Sequence, residues 1–102
     1  MHRPSINFDR VARAAADHAA EILPRWLPGG RRESGEWVSF NPKRADAHRG
    51  SFKVNMRSGL WSDFATGDSG RDLVALAGFL FDLKQDEAAK RVADMLGIDP
   101  FD

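Results

Sequence analysis

The chain has 102 residues, 42% of them hydrophobic and 29% charged, with no cysteine. That length fits one small domain with a modest core, and the hydrophobic share excludes general disorder. Without cysteine there is no disulfide framework, thiolate metal centre or cysteine nucleophile, and a cytoplasmic setting is expected. The apolar runs are too short to span a bilayer, so no membrane partner is expected. The formal net charge of zero hides an asymmetry: residues 1–57 carry +5 and residues 58–102 carry −5. Such a split suggests one surface for an anionic partner.

In chain order, the first segment reads as a helix over 5–23. Ile6, Val11, Ala15, Ala19 and Ile22 recur at helical spacing, and Pro24 is expected to stop it. Pro24 to Arg32 holds two prolines and two glycines and reads as a connector with room for one short strand. From Gly35 the pattern turns to strands. Gly35–Phe40 is aromatic and β-branched, Ser51–Met56 alternates with Phe52, Val54 and Met56 on one face, and Leu60–Phe64 follows a short turn. The Arg57-Ser58-Gly59 link predicts an antiparallel hairpin between the last two strands.

Two helices complete the pattern. The first is expected over 71–81, capped by Asp68 or Ser69, with Leu73, Val74, Ala77, Leu80 and Phe81 inward. The second is expected over 86–96, closed by Gly97. The reading is therefore a single α+β domain in three parts. These are a helix and connector (1–34), a three-stranded antiparallel sheet (35–66) and a helical pair (67–102).

Little in the sequence points to catalysis. There is no phosphate-binding glycine motif, and the three histidines have no triad context. His18 reads as an ordinary helix residue. Asp63, Asp68 and Asp72 match no metal-loop spacing, and two of the three suit a helix start better. No cofactor and no enzymatic activity are expected.

The basic stretch carries more information. Lys43, Arg44, His48, Arg49, Lys53 and Arg57 fall within 15 positions, among Trp37, Phe40, Phe52 and Trp61. Cations neutralise phosphates and flat rings stack bases, which suits a single strand. The competing reading makes the rings core and the cations solvated turns. Phe52 and Phe64 are expected in the core, while Trp37 and Trp61 remain open between core and base stacking.

From Gly35 to Ile98 the chain resembles the N-terminal zinc-binding (zinc-ribbon) domain of bacterial and phage DNA primases. The resemblance rests on Gly35-Glu36-Trp37, Asn41-Pro42-Lys43-Arg44, Gly50-Ser51-Phe52-Lys53-Val54, Leu60 to Gly67, Gly70-Arg71-Asp72 and Leu96-Gly97-Ile98. It covers about two thirds of the chain and keeps the order of the elements. The four ligand positions differ: Asn41, Asp63 and Thr66 stand where the family has cysteines, and Arg44 where it has histidine. No zinc is expected, and Asp63 facing Arg44, helped by Asn41 and Thr66, is expected to hold the ribbon instead.

The resemblance implies a zinc-ribbon-like fold without metal that binds single-stranded DNA template in a primase or primase–helicase system of phage or mobile-element type. Partners implied are that DNA and a catalytic primase, helicase or other replication protein. The residues implied at the nucleic acid are Lys43, Arg44, His48, Arg49, Lys53, Arg57, Trp61 and Trp37. The alternative is a protein-interaction or inhibitor module that reuses the fold and docks through its acidic helices at Asp82, Asp86, Glu87 and Asp94.

Overall fold

A computed structural model describes residues 4–43 and 50–102. The order is α1 (Phe8–Asp17), α2 (Ala19–Trp26), β1 (Arg31–Glu33), β2 (Glu36–Ser39), β3 (Phe52–Asn55), β4 (Trp61–Asp63), β5 (Ser69–Gly70), α3 (Leu73–Phe81) and α4 (Gln85–Leu96). The architecture is α+β, as expected, with an antiparallel meander in the order β1-β2-β3-β4-β5.

The sheet has five strands rather than three. The two additions are edge strands of three and two residues, too short for periodicity to mark. β1 joins β2 through Ser34 and Gly35, at φ of 48° and 80°. Two consecutive positive φ values give a turn whose twist matches the flanking strands. β5 takes the segment where the cap of α3 was expected, and the cap falls to Asp72, whose Oδ1 accepts from the Ala75 N–H at 2.8 Å.

The N-terminal helix is also two helices. An imidazole nitrogen of His18 lies 2.9 Å from the Ala14 carbonyl oxygen. The His18 N–H turns instead to the Ala15 carbonyl at 3.0 Å. That tighter bond ends α1, so His18 is a break rather than an ordinary helix position. Pro24 does not stop α2. Proline's fixed φ is helical, and its missing N–H forfeits one bond while Leu27 N–H still reaches the Leu23 carbonyl at 2.8 Å. Gly97 closes α4 in the left-handed conformation at φ 71°, as its position predicts.

Strand alternation then divides the sheet into two faces. Cross-strand partners share a face, so Trp37, Val54 and Trp61 form one row, and Ser39, Phe52 and Asp63 the next. Those rows are covered, with Phe52, Val54 and Trp61 joining one core with Val11, Leu23, Leu73, Leu76 and Val92 from the helices. Phe52, Trp61 and Phe79 lie against one another at centroid separations of 5.0 to 6.2 Å. The intervening residues, including Val38, Lys53 and Ser62, form the other face, turned away from that core; there Val38 is buried while Lys53 and Ser62 are half-buried, and we call it the open face. Among the described residues no helix is long and apolar enough to cross a membrane.

Candidate nucleic-acid interface

At the end of the covered face, where β2 runs out and β4 turns back, lies a polar node. Asn41 and Asp63 are almost fully buried, at 2% and 1% exposure. Asn41 Nδ2 donates to Asp63 Oδ2 at 2.8 Å, and Ala65 N–H donates to Asp63 Oδ1 at 2.8 Å. The hydroxyls of Ser51 and Thr66 also bond the carboxylate. On the other side Asn41 Oδ1 accepts from Lys43 N–H at 2.9 Å, and Thr66 Oγ1 accepts from Asp68 N–H at 3.2 Å.

Burial works to raise the pKa of Asp63. The hydrogen bonds from Asn41, the Ala65 amide, Ser51 and Thr66 outweigh it and hold the carboxyl below its ordinary value of 3.8. Asp63 is thus an ionised acceptor onto which the two loops converge. Its expected partner Arg44 lies outside the described residues. Asn41 and Thr66 do serve neighbouring backbone groups, and Asn41 also bonds Asp63 directly, a contact the sequence reading did not include.

Among the described residues, the structure does not bring the expected nucleic-acid residues to one surface. Arg44, His48 and Arg49 lie outside the described residues. Lys43 turns toward the helices, where its ammonium pairs with Asp82 and lies 5.2 Å from the Phe79 ring centroid. Trp61 is 4% exposed, stacked on Phe52, with its indole N–H donated to the Asp72 carbonyl at 3.1 Å. It has no open ring face for a base. Trp37 is half-buried on the same side and donates to the Leu27 carbonyl at 3.0 Å. Both open questions about tryptophan therefore close toward the core.

Lys53 stands in the middle of the open face, and Arg57 is exposed in the β3–β4 turn. The ring that the sequence reading missed is Phe64. Expected in the core, it is 73% exposed, and the Lys53 ammonium lies 5.4 Å from its centroid. Parity would have found it. Phe64 is one residue past Asp63 and shares the alternation of Leu60 and Ser62, which face outward. Glu36, Asn55, Trp61, Ser62 and Ser69 join Lys53 and Leu60 around a shallow depression of about 280 Å³.

The acidic residues of the alternative reading have mostly local work. Asp82 pairs with Lys43. Asp86 and Glu87 lie in the first turn of α4, where negative charge complements the helix dipole, and Glu87 accepts from the Lys84 N–H at 3.3 Å. Only Asp94 of the four is left without such a role among the described residues.

Neither protein-family profiles nor curated proteins give a match to this sequence. Among solved structures, the crystal structure of the Aquifex aeolicus primase (zinc-binding and RNA polymerase domains) superposes with a TM-score of 0.76 at 20% identity, over 93% of this chain and 22% of that one. The chain therefore has a primase-like fold and spans about a fifth of the length of that structure.

Zinc belongs to the description of that protein, and the residues here do not fit it. A structural zinc site needs about four thiolate or imidazole donors. The positions corresponding by motif hold an amide, a carboxylate, a hydroxyl and, at Arg44, a guanidinium with no lone pair to give. Asn41 Nδ2 and the Asp63 oxygens are already joined to each other and to loop groups. Among the described residues no three His, Cys, Asp or Glu side chains gather to hold a metal ion.

Proposed function

We propose that the chain is a single-stranded DNA-binding module of a primase or primase–helicase system, a zinc-ribbon-like domain that carries no metal. One observation carries the reading: on the sheet face turned away from the helical core of this primase-like fold, an ammonium and an exposed aromatic ring, Lys53 and Phe64, meet. Lys53 and Arg57 neutralise phosphates, with Arg44, His48 and Arg49 as further candidates from the adjoining segment. Phe64 offers a base a flat apolar surface beside that charge, a pairing that serves single strands without sequence readout. Catalysis belongs to a separate domain or protein, to which this module presents the strand.

The test is fluorescence anisotropy with a labelled oligodeoxythymidine. With about four phosphate contacts, raising salt from about 50 to 200 mM weakens binding roughly fiftyfold. Lys53→Glu and Phe64→Ala each weaken it by about tenfold or more, since a stacked base contributes roughly 1–3 kcal/mol. Absence of binding at the lower salt, or binding indifferent to both substitutions, overturns the reading.

A further inference from the structure

Away from the open sheet face, α2, α3 and α4 leave an apolar groove. Its walls are Trp26, Phe81, Leu83, Val92 and Met95, with Arg91 at the rim, and its volume is about 260 Å³. α3 has no polar side chain along Leu73–Phe81, so the part that the core does not cover faces solvent. Phe81 is 49% exposed and Met95 43%. Trp26 meets Phe81 edge-on, centroids 5.6 Å apart, so the two rings form one wall.

The charges beside this groove are unspent. Arg91 lines it, and Arg25 lines an adjoining depression that shares Met95. Neither guanidinium has an ion pair or hydrogen bond among the described residues. Glu21 lies in the same depression as Arg25 without pairing to it, leaving two cations against one anion. The groove is below the roughly 300–1,000 Å³ of small-molecule pockets, and its mostly apolar walls suit hydrophobic anchor side chains.

We infer that this groove docks an amphipathic helix from a protein partner, its apolar stripe against Trp26, Phe81 and Met95 and its flanking carboxylates on Arg25 and Arg91. Apolar residues at i, i+3, i+4 and i+7 fill such a trough, and guanidinium–carboxylate pairing fixes the register and sign of the flanks. The inference does not depend on nucleic-acid binding, which uses the sheet face.

Two synthetic helices of about 15 residues, with the same leucine stripe and either glutamate or lysine flanks, test it on the isotope-labelled full chain. The glutamate peptide shifts the indole resonance of Trp26 and leaves that of Trp61, which is tied to Asp72. Phe81→Ala weakens that binding by about tenfold or more, with amide dispersion showing the fold retained. Arg25→Glu with Arg91→Glu, both on exposed side chains, reverses the preference to the lysine peptide. Four results overturn the inference: no shift with either peptide, equal affinity for both, a Trp26 signal that moves on simple dilution of the protein, or one that moves with oligodeoxythymidine.

Discussion

The two faces of the sheet carry similar residue types and put them to different uses. On the covered face Trp61 stacks on Phe52 and gives its N–H to a carbonyl, while Asp63 takes every donor around it. On the open face a ring and an ammonium, Phe64 and Lys53, meet in solvent. An aromatic residue among cations is therefore no guide to base stacking until its strand parity is known. Where a side chain's hydrogen-bonding and packing capacity is already used, it is structural. Where that capacity is left over, a partner has something to bind.

The largest effect that would break this contrast comes from exchanging the expected roles of the two rings. Trp61→Ala empties a space in the core and should cost roughly 3–5 kcal/mol, a large share of the stability of a domain this size. Phe64→Ala removes an exposed ring and should cost less than about 0.5 kcal/mol. Urea unfolding of both variants measures the difference. Comparable losses would mean that Phe64 is core after all, and the open face would lose the exposed ring that lies beside Lys53.

A somewhat smaller effect sharpens the account of the covered face. Asp63→Leu keeps the branching of the side chain but strands the donors of Asn41 and the Ala65 amide, at a cost of about 3 kcal/mol at neutral pH. The sign of the pH dependence follows from the depressed pKa. Asp63 stabilises the fold fully above its unfolded pKa and loses that contribution as pH falls through the lower folded value, below 3.8. In acid titrations followed by circular dichroism, the stability gap between wild type and Asp63→Asn should therefore hold constant above about pH 4 and close below it. Parallel titrations would show that the carboxylate is not what the loops close upon.

Much of this was legible from residues alone. The last two helices follow from their apolar stripes and Gly97, and the β3–β4 hairpin from alternation and a short turn. The primase resemblance, rather than spacing by itself, pointed through Asn41, Asp63 and Thr66 to the place where two loops converge. Direction was harder. Each strand residue faces one way or the other, and a run as short as β4 does not show by itself which of its faces the helices cover. Phe64 reads as inward because a small sheet needs apolar side chains to pack on its helices, yet it shares the outward parity of Leu60 and Ser62. The groove among α2, α3 and α4 was not legible, because it depends on α2 running through Pro24 to place Trp26 beside Phe81.

The smallest expected effect is none, and it concerns the node at Asp63. In a zinc ribbon the metal joins two loops that have little core of their own, so its free energy of binding is folding free energy and chelators unfold the domain. Here two loops meet through Asn41 and Asp63, and every group involved is a hydrogen-bonding partner rather than a vacant ligand. The melting temperature should then be unchanged, within about 1 °C, by excess chelator or by added zinc, since ligand linkage requires a ligand that prefers the folded state. A rise with zinc would mean that Asp63 exchanges Asn41 for metal, and the hydrogen-bonded node would be only the metal-free half of a switch. An unchanged melt, together with the loss in Asp63→Leu, would show that buried hydrogen bonds to one carboxylate hold this end of the sheet.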